Sequence, residues 1–307
     1  MANEIDVASF ADLLTSEVLT GMVELLYADR GALPNHPALI ELPNLQGRGS
    51  TTHKISGVGL GGYDLPSASA EDATISNTAL TDDSAQLVIA HYGKAYTASN
   101  LASLVDSTGT ISAQSFAADA VQSSMSYLLY QIAQLVDNFT GVGGTSGVDL
   151  SLSVILDQIT ALEVAKVQGP YLGILHPQAW GDVRSDIALN SGGAVQWHGD
   201  SQSMLSIMSG LGWQGRYFGV DFMTTTHVLD DSTDVWGGIM GRGSLVYGWA
   251  NPSGLDLTAD QVVLGDKVLF ERSRAALDDE TTYVMHMYSG AVEYRDAGGR
   301  TIKSDSP

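Results

Sequence analysis

SAQSFAADAVQSSMSYLLYQIAQLVDNF, residues 112–139, is the longest stretch of this chain with a helical rhythm, and it contains no Pro, Gly, Lys or Arg. Its large apolar residues recur at steps of three and four, so they share one helical face: Val121, Met125, Leu128, Ile132, Leu135, Val136 and Phe139. We predict one helix over 112–139, capped by Ser112 and ended by the glycines at 141, 143 and 144. Such a helix is about 40 Å long and needs an equally long surface to pack against.

The composition indicates a protein whose surface is largely covered. The chain has 307 residues, enough for one large or two ordinary domains, and 44% of them are hydrophobic while only 16% are charged. Low charge is typical of the cores of subunit interfaces. With 35 acidic against 14 basic residues, the net charge of −21 argues against tight, direct nucleic-acid binding. The absence of cysteine excludes disulfides, thiolate nucleophiles and Cys-bound metals.

The first 45 residues indicate an arm rather than a core. Residues 3–29 have an amphipathic helical pattern that includes Phe10 and Leu14, and Gly31, Pro34 and Pro37 then interrupt it. A terminal helix of this kind must bury its apolar face, and a neighbouring subunit offers that burial. Phe10 and Leu14 are therefore candidate intersubunit contacts. No basic region precedes an apolar run, and no run of 18 apolar residues occurs, so we expect neither a secretory signal nor a membrane span.

Residues 46–85 are rich in Gly, Ser, Thr and Ala and poor in large apolar side chains. Thr51–Val58 and Ala73–Leu80 alternate weakly around a Gly/Pro/Ser tip, which predicts a long two-stranded excursion. An isolated hairpin is only marginally stable in water, so we expect it either to lie on a neighbouring subunit or to be mobile. The candidate intersubunit contacts in this segment are listed together: Lys54, Tyr63, Asp82 and Asp83.

The remaining sequence predicts helices and strands of the α+β class. The predicted elements are a strand at Ala85–Ala98, a helical turn at Ser99–Val105, a helix at Ser153–Val167, a buried strand at Tyr171–Leu175, a helix from Pro177 to about Leu189, and strands at 213–224, 235–240, 244–250, 261–273 and 281–294. His176 is interpreted as the cap before Pro177. The last predicted strand ends at the turn Asp296–Gly299.

A search for catalytic or ligand-binding motifs indicates structural roles for the residues concerned. Gly57-x-Gly59-x-Gly61 is followed by no predicted helix, so it is a loop tip rather than a dinucleotide site. No pair of histidines has helical zinc spacing, the acid clusters lack calcium-loop spacing, and no G-x-S-x-G elbow occurs. His286 is interpreted as a core or interface histidine. We therefore predict no catalytic residue, no cofactor and no metal site.

The order of these parts resembles the major capsid protein of tailed bacteriophages, with its Hong Kong 97-type fold. Three local segments are similar to sequences of that family. Asn77–Leu104 is similar to its return strand and entry into the spine helix, Tyr171–Trp180 to its strand followed by a helix that begins with His-Pro, and Trp213–Val228 to a later strand. Each motif is weakly specific, and the order of the parts, which covers nearly the whole chain, carries the resemblance.

The resemblance implies four regions. They are an N-terminal arm at 1–45, an extended β-loop at 46–85, a peripheral domain at 86–150 and 273–307 with the spine helix 112–139, and an axial α/β domain at 151–272. The arm and loop would cover adjacent subunits, and the spine would cross the peripheral sheet. Some family members cross-link a loop lysine to a distant asparagine; Lys54 is near the base of the loop, but we assign it no partner.

The resemblance also implies a structural function without catalysis. The chain would self-assemble, through hexamers and pentamers, into the icosahedral head shell around viral double-stranded DNA, which would lie nearby without specific binding. The resemblance implies either a separate scaffolding protein or none, together with a portal and a decoration protein, and no membrane. The location would be the virion capsid, assembled in the host cytoplasm.

Two alternatives remain open at this point. One keeps the fold and changes the role, to the shell of an encapsulin-like cellular nanocompartment that encloses a protein cargo. The other is a soluble hydrolase whose Ser, His and Asp residues meet only in space. A deep pocket around His176 or His227 would favour that hydrolase.

Overall fold

The computed structural model describes residues 36–42, 45, 50–58, 82–106, 113–190, 213–257, 260–264, 267–275 and 279–306. The predicted arm helix at 3–29, the predicted strand at Ala73–Leu80 and the predicted cap Ser112 lie outside these residues.

The described residues contain four α-helices, two short 3₁₀ turns and fourteen strands. The helices are α1 (Asn100–Val105), α2 (Ala113–Ala133), α3 (Leu152–Val164) and α4 (Pro177–Asn190). The strands are β1 (Leu39–Leu42), β2 (Thr52–Val58), β3 (Asp82–Val88), β4 (Ala90–Ser99), β5 (Val142–Gly143), β6 (Tyr171–Leu175), β7 (Trp213–Tyr217), β8 (Val220–Thr224), β9 (Asp234–Met240), β10 (Leu245–Trp249), β11 (Gln261–Leu264), β12 (Val268–Ala275), β13 (Glu280–Glu293) and β14 (Gly299–Asp305). The 3₁₀ turns are Pro252–Gly254 and Asp296–Gly298.

Two mixed six-stranded sheets and one hairpin hold these strands. The first sheet has the order β1-β10-β13-β12-β11, and β4 lies off this path and pairs with β13 between Glu280 and Ser289. The second sheet has the order β5-β14-β9-β6-β8-β7. β2 and β3 form a separate two-stranded hairpin. Helices α3 and α4 complete the core of the second sheet, which is built on Ile155, Ile159, Leu162, Trp180 and Val183.

Helix α2 is the spine that joins the two sheets. The small and apolar residues of its first half pack with Phe270 and Met285 of the first sheet. Its second half, with Leu128 and Ile132, packs in one cluster with Ile174 of the second sheet and residues of the first. The amphipathic face seen in the sequence is therefore buried along its length, but against two sheets in succession.

The spine ends six residues before the predicted Phe139, at Ala133. From there the backbone tightens, because the N–H of Leu135 donates to Ile132 and that of Val136 to Ala133, three residues back. Val136 and Phe139 remain buried, at 0% and 1% exposed, but on the turn instead of on the helix. The glycines at 141–144 therefore follow the spine without ending it.

The strand that accommodates this turn is β14, which the sequence analysis missed. The Thr301 hydroxyl lies 2.8 Å from the carbonyl oxygen of Val136 and 3.0 Å from that of Phe139, and donates to them. A side chain at Gly299 would overlap the Phe139 ring, and one at Gly238 would press on Val136. The turn is therefore closed by a hydroxyl and two glycines from strands distant in sequence.

The two sheets cross the predicted region boundaries. β14, within 273–307, pairs with β9 in the second sheet, whereas β10 and β11, within 151–272, belong to the first. The described part of the arm contributes β1, which pairs in parallel with β10. The division into four regions stays a prediction, and its limits do not coincide with those of the sheets.

Several local predictions are confirmed and two strands are corrected. Tyr171–Leu175 is a fully buried strand, and the helix after it begins at Pro177. The predicted strand 213–224 is a hairpin, β7 and β8, because Phe218 and Gly219 have positive φ and reverse the chain. The predicted strand 261–273 is also two antiparallel strands, β11 and β12.

The β2–β3 hairpin confirms a two-stranded excursion, but its second strand lies later in the sequence than predicted. β2 pairs with 82–88, not with the predicted 73–80. Its base sits in a notch of the first sheet, where Gly248 and Gly290 are direct cross-strand partners. Leu87, 0% exposed, fills this notch, and a Cβ at Gly290 would overlap the carbonyl oxygen of Val88.

Replacing Thr301 with Val should destabilise the chain by about 1–3 kcal/mol, because two buried carbonyl groups lose their donor without a change of side-chain shape. Urea denaturation of the unassembled chain measures the loss. Thr301→Ser keeps the hydroxyl and should recover most of the stability. Equal stability of the Val variant and the wild type would contradict this role.

Replacing Gly290 with Ala should displace the hairpin from its notch, because the new Cβ meets backbone that cannot move aside alone. Hydrogen exchange of the β3 amides should accelerate at least about tenfold, which corresponds to about 1.4 kcal/mol of local stability. Gly181→Ala is the control, since nothing lies within 4 Å of a Cβ there and Ala favours the helix. Unchanged exchange in the Gly290 variant would show that the notch does not hold the hairpin.

Candidate intersubunit surfaces

Three of the predicted contact candidates meet on the β2–β3 hairpin. Lys54 is exposed and lies opposite Gln86, which is also exposed. Asp82 and Asp83 lie further along the same hairpin, where their backbone pairs with Val58 and Gly57. The other candidates, Phe10, Leu14 and Tyr63, lie outside the described residues. The structure thus places Lys54, Asp82 and Asp83 on one two-stranded hairpin.

Helix α1 presents an apolar face that the sequence analysis did not single out. Leu101, Leu104 and Val105 are 67%, 85% and 70% exposed. The helix is nevertheless fixed at its start, because Ser99 accepts from the N–H of Ala102 and Asn100 donates to the Asp279 carboxylate. The sequence signal was present in the spacing of three large apolar residues within one short helix.

The β7–β8 turn presents a second exposed apolar group. Phe218 is 51% exposed and has a φ of 54°, and Gly219 follows with a φ of 78°. A left-handed conformation costs a residue such as Phe about 1–2 kcal/mol. In the sequence, the only indication of this turn was a Gly in the middle of a predicted strand, directly after Phe218.

An ionic network around the buried Asp221 supports the β7–β8 hairpin. The Arg216 guanidinium donates to both oxygens of Asp221, at 2.6 and 2.9 Å, and His36 Nε2 lies 3.1 Å from the same carboxylate. Because His36 Nδ1 accepts from the N–H of Ala38, its Nε2 carries the proton and donates. Burial opposes the charge of Asp221, but these two partners outweigh it and lower the pKa of Asp221.

The opposite edge of the second sheet carries two more exposed apolar residues. Val142 of β5 is 53% exposed and Val148, in the following loop, is 52% exposed. The loop is fixed by Asp234, which accepts from Ser146 Oγ at 2.7 Å and from the N–H of Gly147 at 2.9 Å. These hydrogen bonds, with Lys303 at 3.0 Å, lower the pKa of Asp234.

An open groove of about 640 Å³ runs along the spine. Its lining residues are Asp119, Gln122, Ser123, Ser126, Tyr127, Tyr130 and His227. Lys94 donates to Asp119 at 2.8 Å and Tyr96 donates to the same carboxylate, and these bonds lower the pKa of Asp119. The carboxylate therefore ties β4 to the spine and is engaged in that contact.

The histidines named by the sequence analysis have structural partners. His176 Nδ1 accepts from the N–H of Gln178, which confirms its capping role, and burial lowers its pKa. His227 contacts the Tyr130 ring edge-on at the groove. His286 lies 2.9 Å from His91 across two strands, and its pKa is lowered by burial and then by His91.

The described residues bring no three His, Asp or Glu side chains together in a way that could hold a metal ion. Within the same residues, no helix has the length and hydropathy needed to span a membrane. What the described surface does offer is a set of exposed apolar groups on rigidly supported turns, which is an arrangement suited to binding other chains.

Comparison with known proteins identifies the architecture. No family model matches the sequence, and no curated protein matches it. Among solved structures, the chain is similar to the capsid of Ralstonia phage GP4, with 11% identity, a TM-score of 0.62 and 89% of each chain covered. It is also similar to the capsid of Helicobacter pylori bacteriophage KHP30, with 9% identity, a TM-score of 0.60 and 91% of this chain and 89% of that chain covered.

A cellular shell shares the same architecture. The SrpI encapsulin of Synechococcus elongatus PCC 7942 is 11% identical, with a TM-score of 0.57 and coverage of 87% of this chain and 85% of that chain. The fold of this chain thus recurs over most of the length of these three proteins. This chain has the Hong Kong 97-type capsid fold.

Proposed function

We propose that this chain is the major capsid protein of a tailed bacteriophage, a structural subunit that self-assembles into an icosahedral head shell. The observation that carries the proposal is the match to phage capsids over about nine tenths of both chains. Because these neighbours are capsid proteins, the proposed role is structural rather than enzymatic.

The surface of the chain supports assembly with copies of itself. Only 16% of the residues are charged, and apolar side chains stand exposed at α1, at the β7–β8 turn and at the β5 edge. Such side chains lose contact with water when identical subunits pack together. Hexamers and pentamers of the chain would close the shell, and the hairpin with Lys54 would reach a neighbouring subunit.

The charge of the chain fits a container for DNA rather than a DNA-binding protein. With a net charge of −21, the protein has few cations to neutralise phosphates, so the packaged double-stranded DNA lies nearby without specific binding. A separate scaffolding protein, a portal and a decoration protein are the further partners of such a shell. Its location is the virion capsid, assembled in the host cytoplasm.

The encapsulin similarity supports a second candidate function, a cellular nanocompartment shell. The two functions share the fold and differ in content. A phage head holds nucleic acid, whereas a nanocompartment holds a protein cargo. The phage function is preferred because most of the similar structures are phage capsids.

Electron microscopy and light scattering of the purified chain test the assembly. We expect uniform hollow particles, alone or with a co-expressed scaffolding protein, since many individually modest contacts add up in a closed shell. Nucleic acid inside particles from infected cells supports the phage head, and a protein cargo supports the nanocompartment. A chain that stays near its mass of 32.4 kDa even with its neighbouring gene products would contradict both.

Reversing the charge at Asp82 and Asp83 to Lys should lower the yield of shells severalfold while leaving the thermal stability of the unassembled chain unchanged. The reason is that the β2–β3 hairpin contacts a neighbour through a charged segment. Electron microscopy counts the particles. The matched control reverses Asp256 and Asp260, exposed acids outside the hairpin. Equal yields from both variants would remove Asp82 and Asp83 from the interface.

A further inference from the structure

We propose that the Phe218–Gly219 turn of one copy docks onto the β5 edge of the second sheet in the next copy, so that subunits join head to tail. The docking rests on the proposed shell function and specifies which two surfaces of the chain meet.

The turn combines two unfavourable features at one residue. A two-residue hairpin turn with positive φ at both positions favours Asn-Gly, because Asn tolerates the left-handed region and Phe does not. Phe218 also leaves 51% of its surface exposed to water. Asn would relieve both features, so the unassembled chain gives no reason for Phe here. An aromatic side chain at an exposed tip is instead what an interface anchor requires.

The hairpin holds this side chain in a fixed place. Arg216 and Asp221 are joined across β7 and β8 by two hydrogen bonds, and Tyr217 packs on Trp180 with ring centroids 5.5 Å apart. Val220 and Phe222, on the other strand, are buried. A turn on such a rigid support loses little conformational freedom on binding, which favours its use as an anchor.

The opposite edge of the same sheet offers a complementary surface. β7 and β5 are its two edge strands, about 24 Å apart if strands are spaced by about 4.8 Å. At the β5 edge, Val142 and Val148 are 53% and 52% exposed, on a loop fixed by Asp234. The turn at the end of the β7–β8 hairpin and the β5 edge thus each carry exposed apolar surface on a rigid support.

Joining unlike edges gives a heterologous contact, which closes into a ring when the rotation between copies allows it. A contact between two Phe218 turns would instead pair like edges and give a closed dimer, with Val142 and Val148 still exposed. The head-to-tail arrangement covers both surfaces of every copy with one kind of contact, whereas like-to-like pairing would need two different contacts. We therefore assign a second copy of this chain as the occupant of the β5 edge.

The variant Phe218→Asn tests the anchor, because stability and assembly should move in opposite directions. We expect the Tm of the unassembled chain to stay the same or rise, since the left-handed strain is relieved. The protein concentration needed for shell formation should rise at least about tenfold, as for loss of an aromatic hot spot. Assembly at the wild-type concentration would overturn the proposal.

A matched control separates the anchor from exposed apolar residues in general. Leu255 is also 51% exposed but has an ordinary φ of −81°. Leu255→Asn should leave the assembly concentration unchanged, and Val142→Asp should raise it as Phe218→Asn does. An equal loss of assembly in the Leu255 variant would show that the effect is not specific to the turn.

Cysteine pairs test the direction of the contact, because the natural chain has no cysteine. Phe218→Cys/Val142→Cys protein, assembled above its raised assembly concentration and treated with a flexible bis-maleimide, should give covalent ladders of several chains. Each single variant should give only monomers. Thr52→Cys/Val88→Cys, at cross-strand partners within one chain, is the positive control for the reagent.

The possible outcomes are distinct. Dimers from Phe218→Cys alone would show like edges meeting and would overturn the head-to-tail contact. Assembled shells in which neither position reacts with its partner would overturn it as well. Wild-type chain that never assembles would overturn the proposed function and this docking together, whereas wild-type shells with fully assembling Phe218→Asn would overturn the docking alone.

Discussion

The burial of the spine's C-terminal end between two sheets is the constraint on which the rest of the structure depends. Leu128 and Ile132 lie in one apolar cluster with residues of both sheets. Past the helix, Val136 and Phe139 turn into the second sheet, where glycines make room and Thr301 satisfies their carbonyl groups. Because the sheets share this core, neither can complete its packing without the spine.

Other apolar side chains of the same molecule lie outside that core, on surface elements that hydrogen bonds hold in place. Helix α1 is pinned through Asp279, the β7–β8 turn through Asp221, and the β5 loop through Asp234. In each place a hydrogen-bonded carboxylate supports the element while Leu, Phe or Val side chains face water. Fixed apolar groups lose little entropy on binding, so this arrangement suits a subunit whose stability is completed by its neighbours.

Sequence reasoning succeeded where one local cause was sufficient. The fully apolar YLGIL predicts the buried strand β6, and the His-Pro that follows predicts the start of α4. It failed where a distant strand decides. The spine's apolar rhythm continues to Phe139, but the helix ends at Ala133 because β14 offers Thr301 and Gly299 to a turn. Likewise 213–224 alternates like one strand, and only the positive φ of Phe218 shows the reversal.

The sequence by itself determined the α+β fold class: most of the order of elements, the long amphipathic spine, the Gly- and Ser-rich excursion and the low charge follow from local patterns and composition. The tertiary structure alone decided which sheet each strand joins, where the spine ends, and which apolar residues stay exposed. The physical reason is the separation along the sequence over which each interaction acts. Periodicity and capping act between residues a few positions apart, whereas the pairing of β14 with β9 and the exposure of Phe218 depend on chain segments that meet only after folding.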